Sequence, residues 1–131
     1  MSILKKNNGP MSKGPSIQSI SGDHWSELKF TDGIMTDAIM KHVMGLCYLG
    51  MADAGEAFEV VSRLNDKETD SWENTWADLA SKLKTRAQNS EKNEKKISAS
   101  TAYLRASTYY RMATMYMEDV HSPKMEEYTR H

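Results

Sequence analysis

From Thr36 onward, apolar residues recur at intervals of three and four, the period of amphipathic helices. In DAIMKHVMGLCYL, the residues Ile39, Met40, Val43, Met44 and Cys47 fall on one broad apolar face. Thr36 is expected to cap this helix and Gly50 to end it. Asp53 then predicts a second helix through AGEAFEVVSRL, with Glu56 completing an aspartate version of the capping box. Ala57, Val60, Val61 and Leu64 form its inner stripe, and Asn65-Asp66 is expected to close it.

The strongest pattern lies between Ser71 and Glu118. Trp72, Trp76, Leu79, Ala80, Leu83 and Ala87 make a core stripe, and Asp70 or Ser71 can serve as its N-cap. The opposite side carries Glu73, Asp78, Lys82, Lys84 and Arg86, with acids early and bases late as the helix dipole favours. The polar run NSEKNEKK interrupts the pattern, and a fourth helix is expected from Ser98. Its inner stripe is Ala99, Ala102, Tyr103, Ala106, Tyr110, Ala113 and Met117, in which the alanines allow close helix approach. An αα-hairpin over 71–90 and 97–118 follows. Tyr109, Met112, Met115 and Tyr116 lie beside that stripe and predict a second apolar face, open to a partner.

Outside the hairpin, residues 1–22 are rich in Gly, Pro, Ser, Asn and Lys without apolar period, which predicts a flexible, disordered tail. Trp25, Leu28 and Phe30 could dock a short amphipathic piece before the turn Thr31-Asp32-Gly33. Ser122-Pro123 reads as one more helix start, but the chain stops at His131. Such a short helix is expected to be weakly held, and the sequence to be truncated. No strand pattern or repeat is visible, so the expected fold is all-α: a small bundle of about four helices around the hairpin, with 23–131 as its domain.

Composition narrows the function classes more than it selects one. The 131 residues suit one domain, and a net charge of −1 argues against a nucleic-acid surface. No apolar run approaches a membrane span and no secretory signal is visible. With a lone cysteine, these features predict a soluble, cytoplasmic protein. Cys47 reads as a small core residue without a base beside it, and His42 as an ordinary hydrogen-bonded histidine. His24, His42, His121 and His131 are too scattered for a metal site, and neither a phosphate-cradling glycine loop nor a G-x-S-x-G elbow occurs. No cofactor, metal or catalytic residue is therefore expected. The ten methionines read as core filling at helical spacing.

The stretches GMADAGEAF, DSWENTWADLASKLKTRAQ and SASTAYLRASTYYRMA together resemble the N-terminal helical domain of FrsA-like and dihydroxypseudooxynicotine hydrolase-like α/β-hydrolases. The resemblance rests on Gly50, Ala52, Asp53, Gly55 and Glu56, on Trp72 and Trp76 with Leu79-Ala80, and on the run from Ser98 through Ala113. It implies a cap over the active site of a serine hydrolase acting on small or polyketide-like molecules, with a part in dimer contacts. The Ser–Asp–His triad of that family belongs to the α/β-hydrolase domain, which this sequence does not reach. The resemblance thus implies a chain that is catalytically silent alone and whose partner is that domain or a second copy. It also implies that Tyr48, Gly50, Met51 and Asp53 lie nearest the substrate. A stand-alone helical interaction module is the alternative reading.

Overall fold

A computed structural model describes residues 28–64, 70–116 and 121–130. All of its regular structure is helical: α1 (Ile34–Leu46), α2 (Ala54–Arg63), α3 (Ser71–Lys92), α4 (Lys96–Ala113) and α5 (Pro123–Thr129), with short 3-10 turns at Cys47–Leu49 and Thr114–Tyr116. No strand occurs among the described residues. The expected tail, Trp25, His24, the Asn65-Asp66 stop, Met117 and His131 fall outside them. By its contacts the chain divides into two units after Lys41.

In the first unit the start of α1 differs from expectation. The helix begins at Ile34, because the Asp37 N–H already reaches the Gly33 carbonyl at 2.8 Å. Thr36 lies inside the first turn, where its hydroxyl meets Thr31 Oγ1 at 2.6 Å and donates to the Gly33 carbonyl at 3.0 Å. Buried Asp37 instead ties the segment before the helix to its first turn. Its carboxylate accepts the Phe30 N–H at 2.7 Å and pairs with Lys41 at 2.9 Å. Burial pulls the Asp37 pKa up, but Lys41 and the Phe30 and Thr31 amides outweigh it and hold the group below its ordinary value.

The second unit is built on the antiparallel α3–α4 hairpin. Every residue of the Trp72–Ala87 stripe is buried, joined by Thr75. Across from it Ala99, Ala102 and Ala106 are buried too, and their small side chains let the two helices approach. Tyr103, expected in the stripe, is half-buried and sends its hydroxyl to Glu91 at 2.9 Å. The Trp72 and Trp76 rings meet at a 60° tilt with centroids 5.7 Å apart, and Trp76 lies 5.4 Å from the Tyr109 ring. Burying side chains of this size contributes about 1.5–3 kcal/mol each.

The hairpin turn is shorter than the polar run suggests. Asn89 through Lys92 continue α3, exposed but for half-buried Ser90, since such polar residues tolerate a helix that neighbours already support. Only Asn93–Lys95 turn. Lys95 N–H bonds the Ser90 carbonyl at 2.9 Å and Glu94 N–H the Glu91 carbonyl at 2.9 Å, a Schellman closure that puts Glu94 at φ 57°.

Two helices flank the hairpin. Helix α2 packs on α3, where Arg63 bridges to Asp78 at 2.7 Å. Helix α5 packs on α4 and is better anchored than its length implies. Ser122 caps it by accepting the Met125 N–H at 3.2 Å. The Tyr128 ring stacks on Tyr110 at 5.6 Å, its hydroxyl donates to Glu73 at 3.2 Å, and Lys124 adds an ion pair to the same carboxylate at 3.3 Å.

Candidate functional site

The residues between α1 and α2 form a closed, tightly bonded turn. Gly50 takes φ 69°, a conformation in which a side chain would be strained. It lets the Gly50 N–H reach the Cys47 carbonyl at 3.1 Å and the Met51 N–H reach Leu46 at 3.2 Å, a second Schellman closure. The two residues before the glycine are thereby pushed outward: Tyr48 is 94% exposed and Leu49 62%. Met51 is half-buried, Ala52 is buried, and Asp53 returns to the surface as the α2 N-cap, accepting the Glu56 N–H at 3.0 Å. Such a cap contributes about 1 kcal/mol.

Beneath this turn the expected capping box is modified. Glu56 does not reach back to the Asp53 amide itself. The Tyr109 hydroxyl of α4 is inserted between them: it accepts the Asp53 N–H at 2.8 Å and donates to Glu56 Oε2 at 2.7 Å. Arg105, one turn earlier on α4, donates to the same Glu56 oxygen at 3.1 Å. Burial, then the Glu56 carboxylate, pushes the Tyr109 phenol far above its usual value, so it remains a neutral donor and acceptor.

Tyr48, Gly50, Met51 and Asp53, the four residues expected nearest a substrate, thus do share one turn. The four interface candidates do not share one surface. Tyr109 and Met112 are each 0% exposed and belong to the core: the Tyr109 ring lies against Trp76 with its hydroxyl on Asp53 and Glu56, and the Met112 carbonyl takes the Trp72 indole N–H. Met115 is 48% exposed, and the Tyr116 side chain lies outside the description. Sequence reasoning missed the Glu56–Tyr109–Arg105 cluster. Its one visible signal is the i, i+4 spacing of Arg105 and Tyr109, which puts both on one side of α4.

The other reactive candidates have ordinary surroundings. The Cys47 thiol is half-buried and donates to the Val43 carbonyl at 3.5 Å. Burial, then nearby Asp53, raises its pKa, which disfavours the nucleophilic thiolate. His42 is exposed. Among the described residues no group of three His, Cys, Asp or Glu side chains could hold a metal ion. No helix among them is long and apolar enough to cross a membrane. What the turn offers outward is therefore apolar and aromatic surface.

No family model and no solved structure matches the chain. Two curated fungal proteins do. The alpha/beta hydrolase xenA of Xenoacremonium sinensis is 31% identical over 88 residues, which are 67% of this chain and 20% of that protein. The alpha/beta hydrolase pydG of an Acremonium species is 30% identical over 88 residues, with the same coverage of both chains. The chain thus spans about a fifth of the length of the curated relatives it matches. It is distantly and partially similar to fungal alpha/beta hydrolases, and all regular structure in its described residues is helical.

Proposed function

We propose that residues 23–131 form a helical cap and dimerisation domain of the kind found in FrsA-like and dihydroxypseudooxynicotine hydrolase-like serine hydrolases, with 1–22 as a tail. In this reading the domain is catalytically silent alone. It covers an α/β-hydrolase domain that supplies the triad and acts on small or polyketide-like molecules. The observation that carries the reading is the 88-residue likeness to a fifth of two alpha/beta hydrolases, in a chain whose described residues hold helices and no strand.

The exposed Tyr48 and Leu49 support it further. Two large apolar side chains on a firmly bonded turn suit contact with a second surface, since aromatic anchors dominate interface energetics. Tyr48, Gly50, Met51 and Asp53 are accordingly assigned to the side that faces the substrate entrance, and Met115 with Tyr116 to the surrounding contact. The exposed Tyr48, Leu49 and Met115 would serve a stand-alone interaction module equally, so the partner decides between the two.

Isothermal titration of this chain into the xenA hydrolase lacking its matched segment tests the assignment. Binding with about micromolar or tighter affinity is expected for a specific interface. No association at about a hundredfold higher concentration contradicts the cap reading. A folded dimer of this chain that ignores the hydrolase favours the interaction module instead.

A further inference from the structure

The Tyr109 hydroxyl lies on no surface, yet it joins three parts of the chain: the turn before α2, the first turn of α2, and α4. We propose that Tyr109 is a positioning residue whose hydroxyl locks the Tyr48–Asp53 turn in the shape that presents Tyr48 and Leu49. The turn would then owe its rigidity to a buried side chain 56 residues away from Asp53, in addition to its own backbone closure.

The geometry supports this at three points. Asp53 is an N-cap, so its amide lies outside the hydrogen-bond ladder of α2 and needs an acceptor from elsewhere; the Tyr109 oxygen is that acceptor at 2.8 Å. The oxygen cannot drift, because the ring that carries it is fully buried and packed 5.4 Å from Trp76. The hydroxyl proton is also directed. It points to Glu56 Oε2, which Arg105 holds from the other side at 3.1 Å, and this leaves a lone pair aimed at the Asp53 N–H. Gly50 thus closes the turn directly behind Tyr48 and Leu49, and Tyr109 holds its far end at Asp53.

A turn fixed in advance loses little conformational freedom when it meets a partner, which favours tight contact. This consequence rests on the proposed function, in which the turn faces a hydrolase domain. The lock itself does not, and the two can fail separately.

Amide hydrogen exchange followed by NMR on the full chain tests the lock. In Tyr109→Phe the ring stays and the acceptor goes. The Asp53 amide should then exchange about fivefold or more faster, measured relative to Leu79 and Ala102 in the hairpin core, as expected for one lost hydrogen bond. Glu56→Gln keeps an acceptor for the hydroxyl and should preserve Asp53 protection to within about twofold. If Tyr109→Phe does not fold, the parent chain decides: an Asp53 amide that exchanges as fast as in an unstructured peptide overturns the lock. An Asp53 amide as protected in the variant as in the parent overturns the proposal. So does a loss spread evenly over all core amides, which marks a general effect on stability. Titration of the same variant into the xenA hydrolase lacking its matched segment should show about fivefold weaker binding. Failure of the parent chain to bind would contradict the proposed function and leave the exchange result to decide the lock.

Discussion

The Trp72 indole N–H donates to the backbone carbonyl of Met112 at 2.8 Å, joining the first turn of α3 to the last turn of α4. Both residues are buried, so the bond closes the open end of the hairpin where no connecting turn holds it. The Met112 carbonyl also accepts a backbone N–H at the end of α4, so the indole bond is its second.

Trp72→Phe removes that donor while keeping an aromatic ring. The variant should lose about 0.5–1.5 kcal/mol of stability, seen as a lower urea midpoint with an unchanged slope. A loss below about 0.5 kcal/mol would show that the carbonyl finds another donor or that the end of the hairpin frays in the parent as well.

How legible this was depends on the width of the buried face. The α3 stripe could be read residue by residue, because Trp72 through Ala87 follow one helical period. In α4 the same reading found Ala99, Ala102, Ala106, Tyr110 and Ala113 but put Tyr109 and Met112 outside. Tyrosine and methionine suit an exposed contact face and a core equally well, and no local pattern says that another element lies above them. The Asp53 cap and the Gly50 stop were visible because each depends on its own residue type. The Tyr109 relay was not, since it joins residues far apart in sequence. The helical continuation through Lys92 escaped for a simpler reason: a polar run looks the same whether it turns or remains helical.

At the hairpin turn, Glu94 sits at φ 57°, where a side chain strains the backbone and makes no compensating bond in the turn. Glu94→Gly should relieve the strain and raise stability by about 0.5–1 kcal/mol, less than the full cost of a left-handed residue because glycine also loosens the unfolded chain. A higher thermal midpoint checks it, and an unchanged or lower one contradicts it.

The anchoring of α5 depends on pH through Tyr128. Burial, then the Glu73 carboxylate, pushes its phenol up to about 12. The fold favours the neutral phenol, so the contribution is fully present below the ordinary tyrosine value near 10 and is lost as pH rises through about 12. Carbon-13 NMR of ring-labelled tyrosine should give that midpoint for Tyr128, with release of the α5 amides over the same range. Tyr128→Phe should remove this alkaline step. A Tyr128 midpoint near 10 would mean that α5 does not hold the ring against Tyr110 and Glu73 in solution.

The cap assignment is tested most directly in a chimaera of the fungal xenA hydrolase whose matched 88-residue segment is exchanged for the corresponding residues of this chain. The measurement is turnover of a generic ester, alongside this chain alone under the same conditions. Turnover by the chimaera that a serine-directed inhibitor abolishes is expected, and none by the isolated chain. Inhibitor-insensitive turnover by this chain alone, or a folded chimaera that hydrolyses nothing while the fungal parent does, would contradict it.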